Sequence, residues 1–305
     1  MSRIVIIGYG SIGARHARLL VDAGADVACV TRNAACPHPL FSTIREAVAV
    51  FSPSHVLISN ATSRHGPALR ELAATGWRGP VLVEKPLFDS AEPVEPPAGL
   101  AVSVAFNLRF HPLVKQLKSR LSAFTLHAAT FYVGQYLPDW RPQDDYRRSY
   151  SASRQAGGGV LRDLSHELDL AAHLCGAVQK VIGLGGRFSG LEIDSDDVFH
   201  LMATAQRCPV VSIAMNYLDR PARRVLTVTG SDVTAVLDFI AGTLHINDDV
   251  IMEKPDRDAT YRSQLNDFLA RREDTLCSFA QGRQVDGVIA AIERSVAAGS
   301  WISLS

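Results

Sequence analysis

The sequence has few cysteines, no surplus of charge and no long apolar run. Its five cysteines are odd in number, lie far apart and form no Cys-x-x-Cys pair, which argues against a disulfide framework and a zinc site. Its 31 basic side chains balance 31 acidic ones, so the net charge gives no reason to expect binding to nucleic acid or an anionic membrane. No uncharged run reaches the roughly 18 residues of a membrane span, and no apolar leader precedes the first predicted strand at Arg3. We therefore expect a cytoplasmic protein with reduced, mostly buried thiols, no metal, and neither a nucleic-acid nor a membrane partner.

The clearest motif is a glycine-rich turn near the start of the chain. Apolar residues 4–7 lead into Gly8-x-Gly10-x-x-Gly13, and a helical stretch follows at once. Gly8 permits a tight turn, Gly10 lets the backbone approach phosphate, and Gly13 allows close helix–strand packing. Free amides at the helix start favour an anion there. The segment predicts the pyrophosphate site of a Rossmann domain, with an ordinary glycine-rich strand–helix turn as the alternative.

The hydrophobic pattern divides the chain into two parts. Apolar strand-like runs alternate with helical patterns through the first hundred residues, which predicts a doubly wound parallel sheet covered on both faces. Alternating runs with short connections follow between residues 178 and 240, which favour an open, mostly antiparallel sheet with helices on one face. We predict a dinucleotide-binding Rossmann domain over residues 1–108 and an α+β domain for substrate binding and oligomerisation over residues 109–305.

A second motif follows a predicted strand of the first domain. The strand at residues 81–83 ends in Glu84-Lys85-Pro86, at the carboxyl edge where doubly wound sheets bind their ligands. A lysine at this edge can reach a substrate hydroxyl beside a nicotinamide. The tripeptide recurs at residues 253–255 without a matching strand-edge context. The prediction therefore depends on the place of residues 84–86 at the end of a strand and not on the tripeptide alone.

Together, the glycine turn and Glu84-Lys85-Pro86 resemble the Gfo/Idh/MocA family of NAD(P)-dependent oxidoreductases. Further matches run through essentially the whole chain: Asn60-Ala61-Thr62 with His65, Asn107-x-Arg109-Phe110-x-Pro112, residues 157–169, and residues 286–304. The resemblance implies that Lys85 hydrogen-bonds the reacting alcohol or carbonyl. The predicted cofactor-binding residues are Gly8, Gly10, Ser11, Ile12, Gly13, Thr31, Arg32, Asn60, Ala61, Thr62, His65, Glu84, Lys85 and Asn107.

The resemblance also implies a catalytic helix over residues 160–175. In the family an aspartate commonly stands four residues before the catalytic histidine, whereas Asp163 stands three before His166. A spacing of three still places both on one face of a helix, so we predict Lys85, His166 and Asp163 as the catalytic residues. His166 as an ordinary hydrogen-bonded histidine is the alternative, and Asp169 is either a substrate contact or a structural partner.

The residues after the second strand bear on the choice of cofactor. A site that prefers NAD usually has an acidic residue about twenty positions after the glycines, but this chain has Thr31-Arg32-Asn33. Arginine pairs well with phosphate, and no carboxylate repels it. We therefore predict a preference for NADP(H) with NAD(H) possible. Alternatively, Arg32 only stacks on the adenine and either cofactor is accepted.

The predicted reaction is hydride transfer to or from a secondary alcohol carbon of a sugar, polyol or derivative. The loop at residues 136–154 mixes acids, arginines and aromatics, which suits an anionic sugar derivative but equally a solvated loop or a subunit contact. The predicted substrate-binding residues are Arg109, Tyr146, Arg147 and Asp169. The resemblance implies a homodimer or homotetramer. Two alternatives stay open: reduction of an imine or a tetrapyrrole, and a cofactor-binding sensor without turnover.

Overall fold

The computed structural model describes residues 1–89 and 95–304. The strands in chain order are β1 (Arg3–Ile7), β2 (Asp26–Val30), β3 (Leu40–Phe41), β4 (His55–Ile58), β5 (Gly79–Val83), β6 (Leu100–Val104), β7 (Leu126–Gly134), β8 (Val178–Gly186), β9 (Val198–Ala205), β10 (Cys208–Asn216), β11 (Arg223–Gly230), β12 (Val233–Asp238), β13 (Thr243–Ile246), β14 (Asp249–Met252), β15 (Cys277–Ser278) and β16 (Ile302–Ser303). The α-helices are α1 (Ser11–Asp22), α2 (Ile44–Phe51), α3 (His65–Ala74), α4 (Pro112–Leu121), α5 (Val160–Asp163), α6 (His166–Cys175), α7 (Ala259–Leu269) and α8 (Phe279–Ala298).

The first sheet has the strand order of a doubly wound fold. Its order is β15-β6-β5-β4-β1-β2-β3, and all neighbours are parallel except the short edge pair β15–β6. The strand order reverses between β1 and β4, which is the point where such sheets bind ligands at their carboxyl ends. Every residue of β4 is buried, as expected for a strand covered on both faces. The prediction of an N-terminal Rossmann sheet is therefore confirmed.

The second sheet is mostly antiparallel. Its nine strands have the order β14-β13-β12-β11-β7-β10-β9-β8-β16, and β7 and β10 form a parallel pair. From Ala129 to Val133, alternate residues of the central strand β7 are buried, which is the pattern of a sheet covered on one face. The predicted fold class is confirmed here too. The hairpin of β13 and β14 is an addition that the sequence analysis missed.

The chain crosses between two compact units more than once. One unit contains Met1–Phe110 and Asp258–Arg283, and the other contains His111–Arg257 and Gln284–Ser305. The sequence-based boundary at 108/109 lies close to the first crossing, but it assigned Asp258–Arg283 to the second domain. The structure places that segment in the first unit.

Apolar packing accounts for the return of this segment. Leu265 and Phe268 of α7 belong to the same buried cluster as Ile4 and Ile6 of β1. The following strand, β15, adds an antiparallel edge to β6. The segment therefore completes the Rossmann core, and its removal would expose that cluster to water.

The helix predicted over residues 160–175 is interrupted, which corrects the sequence analysis. α5 ends at Asp163 and α6 begins at His166. Leu164 has φ −98° and ψ 22°, outside the helical range. The amides of Ser165 and Glu167 bond to carbonyls three residues back, at 3.3 and 3.2 Å, so the chain tightens here as helix ends do. Asp163 and His166 therefore lie on separate helices.

Two expectations from composition concern the cysteines and the membrane. All five cysteines are buried, as expected for structural thiols. No helix within residues 1–89 and 95–304 is both long and apolar enough to cross a bilayer.

Candidate active site

The glycine turn after β1 fits only glycine at two of its three positions. Gly8 has φ +100°, and a Cβ there would lie 2.5 Å from the backbone nitrogen of Asn60. A Cβ on Gly13 would lie 2.3 Å from the carbonyl oxygen of Gly8. At Gly10, by contrast, a Cβ would meet no described atom within 4 Å. Gly8 and Gly13 are therefore packed tightly against backbone atoms. The space beside Gly10 is open, and this is where a phosphate group needs to approach.

The start of α1 is suited to an anion. Ser11 and Ile12 form its first turn, and Gly10 at the N-cap provides no side-chain cap. The first turn contains no acidic residue, so no carboxylate repels a phosphate there. Backbone amides at a helix start point outward and attract negative charge.

The segment after β4 contributes a buried acceptor. Oδ1 of Asn60 is buried and receives no hydrogen bond from the described residues. Ser59 Oγ donates to the carbonyl oxygen of Gly8 at 2.8 Å, which ties this segment to the glycine turn. Ala61 is exposed, and Thr62, which is buried, begins a short 3-10 turn. A buried acceptor beside a glycine cradle fits a bound dinucleotide, because a ligand donor would satisfy it.

His65 joins two loops at the same sheet edge. Its ring nitrogens Nδ1 and Nε2 lie 3.0 Å from the carbonyl oxygen of Leu87 and 3.1 Å from that of Asn60. Burial lowers its pKa, so the ring is neutral and donates from one nitrogen only. The ring lies between the segments after β4 and β5 and donates to one of these two carbonyl oxygens, according to its tautomer. A direct contact of His65 with cofactor stays a prediction.

A histidine of α1 contacts Glu84, and Glu84 in turn contacts the backbone of Lys85. Nε2 of the fully buried His16 lies 2.7 Å from Oε1 of Glu84, within hydrogen-bond distance of that carboxylate oxygen. The other oxygen, Oε2, accepts a 3.2 Å hydrogen bond from the backbone nitrogen of Lys85. The sequence analysis missed His16. Its position on the inward side of α1, one turn after the glycines, is the signal that could have identified it.

The loop after β2 is tied to the glycine turn. Asn33 Nδ2 donates to the carbonyl oxygen of Tyr9 at 3.1 Å, and Asn33 N donates to Thr31 Oγ1 at 3.1 Å. Arg32 is exposed between them. The position is one from which a guanidinium can meet a ligand at the carboxyl end of β2.

Two further predicted residues of the first unit are buried. Asn107 Nδ2 donates to Thr260 Oγ1 at 2.8 Å, and an Arg109 guanidinium nitrogen donates to Gln281 Oε1 at 2.8 Å. Both bonds link the 3-10 turn Asn107–Phe110 to the returning segment. The cofactor role of Asn107 and the substrate role of Arg109 stay predictions.

In the second unit, a buried tyrosine contacts Asp163. Tyr217 Oη donates to Asp163 Oδ2 at 2.6 Å. His166 is the first residue of α6, and the next residue, Glu167, is buried 2.8 Å from the Nε atom of Arg224. Asp169, one turn further along, is fully buried, which favours the structural role over the substrate contact.

The loop before α5 contains two of the four predicted substrate contacts, Tyr146 and Arg147. Arg147 Nε donates to Asp145 Oδ1 at 2.8 Å, and another of its nitrogens lies 3.2 Å from Oε2 of Glu192. Hydrogen bonding from Arg147 lowers the pKa of Asp145. Tyr146 Oη accepts from the backbone nitrogen of Glu192 at 3.3 Å. Two acids already share the charge of Arg147, which weakens the argument for an anionic substrate.

The described part of the chain contains no cluster of three or more His, Cys, Asp or Glu side chains arranged to hold a metal ion.

Comparison with known proteins agrees with this geometry. Residues 116–236 match the family model of the GFO/IDH/MocA C-terminal domain. A comparison with curated proteins found no matching sequence. The predicted resemblance is confirmed as a match of residues 116–236 to this domain model, and the whole chain has the fold of the solved oxidoreductases described next.

Three solved structures illustrate the match. The WlbA dehydrogenase from Bordetella pertussis, in complex with NADH and UDP-GlcNAcA, has a TM-score of 0.82 and 21% identity over 99% of this chain and 98% of that chain. Levoglucosan dehydrogenase in complex with NADH has a TM-score of 0.85 and 18% identity over 100% and 99%. An oxidoreductase domain protein from Kribbella flavida has a TM-score of 0.85 and 19% identity over 100% of both chains.

Proposed function

We propose that the protein is an NAD(P)-dependent oxidoreductase that interconverts a secondary alcohol and a ketone on a sugar or sugar derivative. The observation that carries the proposal is the edge of the first sheet. There, a glycine cradle open only at Gly10 lies beside Glu84 and Lys85, which His16 holds in place. Complexes of the matched dehydrogenases with NADH and with UDP-GlcNAcA or levoglucosan support the substrate class.

The bound nicotinamide would supply the hydride acceptor or donor. Lys85 would donate a hydrogen bond to the substrate oxygen and stabilise negative charge on it. His166 would take the proton from that oxygen during oxidation and return it during reduction. Asp163 would orient its catalytic neighbours, and no metal is needed because side chains handle the proton.

A substrate panel tests the proposal. NADP⁺ and NAD⁺ reduction is measured with sugars, sugar acids and nucleotide sugars, and NADPH oxidation is measured with keto-sugars, a cyclic imine and a linear tetrapyrrole. Turnover with a sugar supports the proposal. Turnover with only the imine or the tetrapyrrole would assign the protein to another substrate class. Tight NADPH binding without any turnover would favour the sensor.

We propose further that NADPH binds more tightly than NADH. The matched complexes contain NADH or NAD, so this preference rests on Thr31, Arg32 and Asn33, where no carboxylate repels a 2′-phosphate. Arg32→Ala is expected to weaken NADPH binding by about tenfold and NADH binding by much less. Fluorescence titration of both cofactors measures this, with the exposed Arg45 of α2 replaced by alanine as the control. Tighter binding of NADH by the parent protein refutes the preference.

The second sheet is the proposed site of self-association. Met202 of β9 and Leu184 of β8 are 49% and 72% exposed, and Met202 pairs in register with Ile182 and Ser212 on the neighbouring strands. An apolar sheet face left open to water favours association with a second copy. Met202→Glu is expected to shift a dimer or tetramer to monomer at micromolar concentration, measured by light scattering. Val50→Glu, on a valine of α2 that is 67% exposed, is the control, and a monomeric parent protein would contradict the proposal.

A further inference from the structure

Tyr217 is held rigidly in the second unit. It follows the last residue of β10 and is 0% exposed. Its backbone nitrogen donates to the carbonyl oxygen of Asp197 at 2.9 Å, and its own carbonyl oxygen accepts from Leu137 N at 3.0 Å. The ring of Trp140 packs edge-on against the phenol at a centroid distance of 5.3 Å. The phenol therefore has one orientation, and its hydroxyl donates to Asp163 at 2.6 Å.

Asp163 lies at the end of a short helix, where its backbone nitrogen donates to the carbonyl oxygen of Gly159 at 2.9 Å. It is the last residue of the four-residue α5, and the chain departs from helical geometry at the next residue. A single helical turn is not stable by itself, and the hydrogen bond from Tyr217 adds a contact to the carboxylate from outside α5. Burial and the Asp163 carboxylate both raise the pKa of Tyr217 well above its usual range, so its hydroxyl stays protonated and remains a donor.

We propose that Tyr217 is a positioning residue that fixes the Asp163 carboxylate at the break between α5 and α6. The spacing of three residues between Asp163 and His166 displaces the aspartate from the helix that carries the histidine. The hydrogen bond from Tyr217 compensates, because it fixes the carboxylate from a residue held at the end of β10. The catalytic consequence rests on the proposed function, whereas the structural consequence does not.

The structural consequence is tested by hydrogen–deuterium exchange of peptides covering residues 160–169. Tyr217→Phe removes one oxygen and is expected to speed exchange of the amides at residues 164–167 by about threefold or more, because opening of this break costs less free energy. Tyr132→Phe is the matched control, since Tyr132 Oη donates to Asp219 at 2.8 Å in the same unit. Unchanged exchange in Tyr217→Phe, or an equal rise in both variants, would overturn the proposal.

The catalytic consequence is tested by a double-mutant cycle of Tyr217→Phe with Asp163→Ala. Single-turnover rates are measured with the panel substrate that the parent converts fastest, at saturating NADP⁺ if it is a sugar that is oxidised and at saturating NADPH if it is a keto-sugar that is reduced. Tyr217→Phe alone is expected to lower the rate by about tenfold with KM nearly unchanged, and to cause no further loss in the Asp163→Ala background. Equal losses in both backgrounds would show that Tyr217 does not act through Asp163. If the parent converts no sugar, the proposed function fails, and the exchange comparison alone decides the positioning claim.

Discussion

Replacing Lys85 with alanine is expected to lower the single-turnover rate of hydride transfer by about a hundredfold or more, with little change in NADPH affinity. Lys85 follows β5 at the ligand-binding edge of the first sheet, and the Glu84 side chain, held by His16, fixes its backbone. A cation there contributes mainly when charge develops on the substrate oxygen. His166→Ala is expected to cause a similar loss, because it removes the group that moves the proton. Stopped-flow absorbance of NADPH measures the rate for each variant.

The chain contains its own control for the lysine. Lys254 lies in the second Glu-Lys-Pro tripeptide, is exposed, and follows the edge strand β14 of the other sheet. Lys254→Ala is expected to keep the parent rate. A near-normal rate for Lys85→Ala would refute the mechanism, and a parallel loss of NADPH affinity would assign Lys85 to binding instead.

Local patterns predicted the first sheet and its ligand edge. The glycine turn, the strand before it and the helix after it occupy continuous residues, so their spacing alone specifies the conformation. Glu84-Lys85-Pro86 was located in the same way, from the strand that it ends. Alternation of apolar residues likewise predicted strands between residues 178 and 240, where the structure has β9 at Val198–Ala205.

Contacts between distant residues were not predictable from such patterns. His16 and Glu84 are 68 residues apart, and Asp163 and Tyr217 are 54 apart, so no local spacing signals either pair. The break in the helix at Leu164 was not predicted for a related reason. A sequence window of residues 160–175 has helical periodicity, and the periodicity holds on both sides of the interruption.

The return of Asp258–Arg283 to the first unit is also a tertiary effect. The amphipathic pattern of α7 shows that it packs on a core but not on which one. Leu265 and Phe268 fill a cluster whose other members come from the first strands of the chain. Chain order therefore suggested the wrong unit for this segment, because sequence proximity was the only information.

Two alanine substitutions in the glycine turn are expected to separate cofactor binding from folding. Gly13→Ala places a Cβ 2.3 Å from a backbone oxygen, so we expect it to lower the free energy of unfolding by about 1–3 kcal/mol or more.

Gly10 has φ −88° and ψ −165°, and a Cβ there meets no described atom within 4 Å. Alanine adopts this conformation without strain, so Gly10→Ala should change stability by less than about 1 kcal/mol. It should nevertheless weaken NADPH binding by about tenfold or more, because its methyl group occupies the side that phosphate approaches. Urea denaturation and fluorescence titration measure the two effects, and Gly190→Ala, also in open space, should change neither. Parent-like NADPH binding by Gly10→Ala would show that the segment is an ordinary strand–helix turn.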